Sequence, residues 1–282
     1  MKILYLDCFS GISGDMMIGA LLDAGGDFSH LQKELQKLPL QDEYELEVYK
    51  VVKNGITSTK FDVVLKNEEH MHSHHDQSGH KHHHEHSHDH DHAHHHGHSH
   101  DDEHHHHVHS HHHRSYRDII KMIQEADLSE AVKNMALDLF KKIGEAEGHI
   151  HGVPLEDVHF HEVGAVDSII DIVGTAILIE ELDVDEIRSA PVPTGSGKIH
   201  IDHGIYPVPA PATLEILRGV PIAKSELKAE LTTPTGAAFA AVLAKAFCDI
   251  PSMKVTNVGY GAGTKTFPNH PNVLRVILGE NA

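Results

Sequence analysis

Ile3 to Leu6 form a short apolar run that ends at Asp7, and a Gly/Ser loop separates it from apolar positions at helical spacing between Asp15 and Ala24. Gly25-Gly26 stops that pattern, so a strand, a loop and a helix are predicted. Tyr44 to Val52 and Ile56 to Leu65 are rich in β-formers, and Asn54-Gly55 between them predicts a hairpin. From Asn67 to about His113 apolar residues nearly vanish, leaving Met71, Ala93 and Val108, so this segment is expected to be a disordered insertion. Helical spacing resumes with Tyr116, Ile119, Ile120 and Ile123, and again from Ala131 to Ile143. Val158 to His161 reads as a short strand and Gly164 to Leu182 as a helix apolar on most faces, hence central. Beyond it, short β-like runs alternate with Pro- and Gly-rich loops. Helices are expected near Ala212 to Leu217 and Ala237 to Phe247, and a last strand at Val273 to Leu278. The late Gly259-Tyr-Gly-Ala-Gly263 lacks dinucleotide-fingerprint spacing and reads as a turn.

The class is therefore α/β or α+β, a mixed sheet with packed helices. Residues 1–66 and 114–282 are expected to make one globular body interrupted by the insertion at 67–113. The 282 residues carry 23 basic and 42 acidic side chains, for a net charge of −19. That balance disfavours nucleic acid and anionic membranes as partners. Cys8 and Cys248 are too few for a disulfide framework, which fits a reducing cytoplasm. The most apolar window, Ile172 to Ile179, is too short to span a bilayer, and the N-terminus reaches Asp7 too soon to read as a secretory signal.

Chemistry enters first through the insertion, where 25 of the 33 histidines lie between His70 and His113. Neutral imidazole suits nickel, copper and zinc. The tract is internal and mixed with Asp, Glu, Ser and Gly, unlike a purification tag, so it is assigned to metal buffering or supply. A disordered ligand cloud cannot fix an ion for catalysis. The second constellation is Val158-His-Phe-His-Glu-Val-Gly-Ala-Val-Asp-Ser-Ile-Ile-Asp171. In a strand, His159 and His161 point to one face; Glu162 follows, and Asp167 and Asp171 stack four apart on a helix. Together they can bind an octahedral divalent ion or set general bases beside one, although buried histidines and helix-start acids remain the structural alternative. Third is Asp7-Cys-Phe-Ser-Gly-Ile-Ser-Gly-Asp-Met16, where Gly11 and Gly14 permit tight turns and Ser10 and Ser13 offer hydroxyls to a phosphate at a helix N-terminus. Ser13 as a plain helix cap is an equal alternative, and Asp7 and Asp15 are further candidate metal ligands. Finally, Gly195 to Gly204, Pro207 to Thr213 and Glu230 to Gly236 are loops that offer His200, His203, Thr232, Thr233 and Thr235 to a polar ligand.

Asp7-Cys-Phe-Ser-Gly-Ile-Ser-Gly-Asp15, His159-Phe-His-Glu-Val-Gly-Ala-Val-Asp167, Pro207-Val-Pro-Ala-Pro-Ala-Thr213 and Thr232-Thr-Pro-Thr-Gly236, with the histidine-rich insertion, resemble the LarC family of nickel-insertion proteins in lactate racemase maturation. The resemblance implies a nickel chelatase of the lyase class, acting on pyridinium-3,5-bisthiocarboxylic acid mononucleotide to give the nickel-pincer nucleotide. Lactate racemase apoprotein is then the downstream recipient, and a homo-oligomer is expected. Full-length members carry a further C-terminal region associated with CTP and manganese; this sequence looks like the N-terminal part, so a separate C-terminal region is a possible partner.

On that reading the tract collects nickel, and His159, His161 and Glu162 hold it, with Asp7, His200 and His203 as further metal candidates. Glu162, Asp167 or Asp171 takes the ring proton, while the phosphate rests on Ser10 to Gly14. Two other classes stay open: a non-enzymatic nickel store or metallochaperone, and a metal-dependent hydrolase.

Overall fold

Strand β1 (Lys2–Asp7) sends Leu4 and Leu6 into the main core, and helix α1 (Gly14–Asp23) packs over the sheet with Met16, Met17, Ile18, Ala20 and Leu21 buried. The structure is a computed structural model that describes residues 1–66, 114–160, 163, 165–201 and 204–281. The short helix α2 (Phe28–Leu35), which the apolar pattern did not announce, is capped by Asp27 accepting from Ser29 N. The hairpin of β2 (Tyr44–Lys53) and β3 (Ile56–Leu65) follows as expected. Its turn places Asn54 and Gly55 at φ of 47 and 84, the pair of positive angles a two-residue type I′ turn needs.

Helices α3 (Tyr116–Glu125) and α4 (Glu130–His151) start where the spacing put them, α3 with a reciprocal Ser115/Asp118 capping box. Helix α5 (Val166–Glu181) is buried along most of its length, as its sequence requires, and packs on both α1 and α4. Then come β4 (Glu186–Ser189), β5 (Val192–Pro193), the hairpin of β6 (Gly197–Ile201) and β7 (Gly204–Val208), α6 (Pro211–Ile216), β8 (Ile222–Ala223), α7 (Pro234–Ala238), β9 (Ala246–Phe247), β10 (Met253–Ala262) and β11 (Val273–Asn281). The main sheet has seven strands in the order β2-β3-β10-β11-β1-β4-β9. It is mixed: β11 is antiparallel to both β1 and β10, whereas β4 is parallel to β1 and β9. This is the mixed sheet with packed helices expected from the pattern. No helix among the described residues is long and apolar enough to cross a membrane.

Three local expectations fail. Val158 to His161 makes no strand in its described part; His159 forms only a bridge with Ser115. Phe160 is instead buried between Phe140 and Tyr116. The helix expected from Ala237 to Phe247 ends sooner: α7 passes into a π-helical turn, Phe239–Leu243, and Ala246–Phe247 joins the sheet beside β4. Most consequential, Gly259 to Ala262 is strand rather than turn. A side chain at Gly261 would sit 1.8 Å from Met16 O and one at Gly259 2.1 Å from Ala20 O. The glycines are there so that α1 can lie directly on β10, a strand use of glycine that turn statistics hide.

The insertion leaves and rejoins this framework at one residue. Lys66 N donates to Glu43 O at 3.1 Å, and the Arg114 guanidinium donates to Glu43 Oε1 at 2.6 Å. The tract itself, with its expected disorder, lies outside the described residues.

Candidate functional site

Strand β3 is paired with β10 only at Gly261↔Thr59. Beyond that point Lys60 to Val63 on one side and Thr264 and Lys265 on the other line a cleft of about 630 Å³. The volume lies in the range of small-molecule sites, and the place, past the carboxyl end of parallel strands, is where open mixed sheets commonly bind ligands. The N-terminus of α1 (Ser13, Gly14, Asp15) and the first turns of α5 (Asp167, Ser168, Asp171) form its floor. His200 on β6, Glu230, Thr233 and Thr235 complete the far wall.

The floor is acidic and built around one ammonium. Lys60 Nζ lies 2.7 Å from Asp15 Oδ2, 2.7 Å from Asp62 Oδ1 and 3.0 Å from Phe61 O. Burial works against its charge, but Asp15 and Asp62 outweigh that and hold it above the ordinary lysine value. Asp171 stands differently. Its side chain is part-exposed at the cleft, but Oδ1 is buried and has no hydrogen-bond partner among the described residues. Burial first, then repulsion from Asp15 and Asp167, pushes its carboxyl well above the usual range, with Lys60 offsetting only part. Gly14 explains how it fits: a Cβ there would be 2.0 Å from Asp171 Oδ2, so only glycine lets the helix start close over the carboxyl. A buried acid without a partner is costly unless it serves a ligand or a reaction.

Of the residues singled out from sequence, Ser13, Gly14, Asp15, Asp167, Asp171, His200, Thr233 and Thr235 line this cleft. Ser13 occupies the α1 cap position without a capping bond; its hydroxyl donates to Asp15 Oδ1 at 2.5 Å. Thr233 caps α7 by accepting from Gly236 N at 3.2 Å. Ser10, Gly11, Thr232, Asp7 and His159 are not among the lining residues. Ser10 is buried, donating to Pro271 O at 2.5 Å and facing His270 Nε2 at 2.8 Å, so its hydroxyl is committed to the 270–271 segment. Gly11 packs under Leu231 O. Thr232 donates to Pro193 O at 2.8 Å, and Asp7 accepts from Arg275 Nε at 2.7 Å. His159 is exposed beside the α3 cap and is not among the lining residues. His161, Glu162, His203 and the His70 to His113 tract lie outside the described residues.

Burial pushes the Cys8 thiol up to about 12, so it is a core residue rather than a thiolate ligand. Among the described residues no three His, Cys, Asp or Glu side chains form a ready metal-binding group.

Lys60, Asp62, Glu230 and Lys265 were missed. The signal for the first two was present: Lys60 and Asp62 are two apart in a strand around the core residue Phe61, a charged pair where a plain hairpin needs none. Glu230 and Lys265 meet only in three dimensions, Lys265 Nζ approaching Glu230 O at 3.4 Å. Burial raises the Glu230 carboxyl, and Lys265 counters it in part.

A pyridinium-3,5-bisthiocarboxylic acid mononucleotide nickel insertion protein of Geobacillus kaustophilus is 51% identical over 283 residues, covering 99% of this chain and 60% of that protein. Proteins of the same description from Clostridium kluyveri and Staphylococcus epidermidis are 47% and 45% identical, over 99% and 98% of this chain and 62% and 59% of their own length. The chain thus spans about three fifths of the length of the curated relatives it matches. No solved structure matches it significantly. The family described as nickel insertion protein matches residues 4–282, and this chain belongs to that family.

Proposed function

We propose that this chain binds pyridinium-3,5-bisthiocarboxylic acid mononucleotide in the cleft and inserts nickel into it, giving the nickel-pincer nucleotide of lactate racemase. The observation that carries the reading is Asp171, whose buried Oδ1 has no partner among the described residues and which lines a cleft of nucleotide size. Insertion needs a proton acceptor. As nickel, held by the two thiocarboxylate sulfurs, bonds to the ring carbon, the C–H electron pair becomes the nickel–carbon bond and the proton must leave. Asp171 takes it, with Asp167 and Glu162 as the neighbouring acids of the same motif. Burial disfavours the ionised form of Asp171, and the double positive charge of arriving nickel favours it.

His159, His161, Glu162, Asp7, His200 and His203 are assigned to nickel handling, and the His70 to His113 tract to supply, with residues 1–66 and 114–282 acting as one body in the cytoplasm. CTP and manganese are assigned to the additional length of full-size relatives. The phosphate is moved away from Ser10 and Gly11, which are occupied elsewhere.

Purified chain incubated with mononucleotide and nickel, with and without manganese, CTP and a separately made C-terminal region, should yield a nickel-containing product by mass spectrometry. Nickel bound in quantity with no product under any condition would instead mark a store or chaperone. Replacing His159 and His161 together with alanine should abolish activation of apo lactate racemase; unchanged activation removes both from the path. Deleting residues 70–113 should raise the nickel concentration needed for half-maximal product without lowering the yield at saturation. A variant inactive at every nickel concentration would assign the tract to chemistry.

A further inference from the structure

We infer that the mononucleotide lies in the cleft with one polarity, its cationic ring over Asp15, Asp62 and Asp171 and its phosphate against Lys265, which makes Lys265 the residue that reads the phosphate. The inference rests on the substrate proposed above and deepens it.

The two ends of the cleft differ in charge. At the α1/α5 end, Lys60 is paired with Asp15 and Asp62, Asp167 and Asp171 line the same cleft, and Asp171 Oδ1 is buried without a partner among the described residues. A cationic ring or a divalent ion is attracted there; a phosphate is repelled. The N-terminus of α1 would ordinarily serve an anion, but here Asp171 closes against Gly14 and Asp15 stands in its first turn, so that place already holds carboxyl groups. Lys60 cannot compensate. An ammonium has three donors, and Asp15, Asp62 and the Phe61 carbonyl take all three.

The part of the wall around Glu230 is different. Lys265 is exposed on the segment following β10, and among the described residues its ammonium makes one long hydrogen bond, 3.4 Å to Glu230 O. Lys53 Nζ lies against the same segment, 3.2 Å from Thr264 O and 3.3 Å from Lys265 O, and adds its charge there. Thr264 and His200 line the same cleft. Glu230 is the one acid on that wall among the described residues, and Lys265 lies beside it. A ligand cationic at one end and dianionic at the other fits this arrangement one way round.

The test compares two probes, the mononucleotide and the same nucleoside without its phosphate, by calorimetric binding to the chain. Lys265→Ala should weaken the mononucleotide by about tenfold or more, the worth of a charged hydrogen bond, and leave the nucleoside unchanged. Lys265→Arg should restore most of the loss. Asp62→Asn should weaken both probes by the same factor, because it sits at the ring end. Equal weakening of both probes by Lys265→Ala, or no weakening, overturns the polarity while the proposed function stands. If the unaltered chain binds neither probe, the functional reading itself fails before Lys265 is reached.

Discussion

Replacing Asp171 with asparagine is expected to slow nickel insertion by roughly 10²–10⁴-fold, the usual worth of a positioned general base, with binding of the mononucleotide largely retained. Asparagine keeps the shape of the side chain and removes its capacity to take a proton, so packing is not the variable being tested. Product formed in a single turnover, followed by mass spectrometry, gives the rate; calorimetry gives the affinity. Equal rates would remove Asp171 from the chemistry.

The pH dependence supplies a second readout. The unaltered chain should speed up as pH rises through the raised Asp171 value, because only the ionised carboxylate accepts a proton, and the variant should show no such rise. Stability runs the other way. The Asp171 carboxyl takes a higher value in the folded chain than its ordinary 3.8. Its contribution is therefore fully present below 3.8 and is lost as pH rises through the folded value. The variant lacks that loss, so its urea midpoint should gain on the parent between acid and neutral pH.

The second large effect is on folding. Gly261→Val should destabilise the chain by about 3 kcal/mol or more, since the new side chain meets helix backbone rather than a movable side chain. The nearest atoms to a Cβ there are Met16 O at 1.8 Å and Ala20 N at 2.5 Å. Helix α1 would have to lift off β10, carrying Ser13 to Asp15 with it, so the cleft should be lost together with the core. Val258→Thr, on the same strand but 39% exposed, is the control and should stay within about 0.5 kcal/mol. A urea titration of both variants decides it: similar midpoints would mean that the α1/β10 contact is looser than its geometry.

Periodicity carried the parts of the fold in which one face repeats. The α5 segment is apolar nearly all round and is central; Asn54-Gly55 turns the hairpin; Asp167 and Asp171, four apart, do come to one side and line one cleft. What pattern reading lost was decided by contacts across the sequence. Gly259 and Gly261 look like turn residues until a helix from the other end of the chain lies on them. Ser10 and Thr232 look available in a Gly/Ser or Thr-rich loop until their hydroxyls are bonded to Pro271 and Pro193. Lys60 was legible in principle, a cation two positions from Asp62 in a strand, but its meaning depended on Asp15, 45 positions away in sequence. The strand expected at His159 is lost because its neighbour Phe160 drives the local conformation by burial, leaving His159 exposed beside the α3 cap.

The double attachment at Glu43 has a consequence for how such a protein can change over generations. Because the residues on either side of the histidine tract, Lys66 and Arg114, are both fastened to Glu43, the framework imposes no particular number of residues between them. The sequence between these two attachment points can therefore change in length without moving β3 or the cleft beyond it.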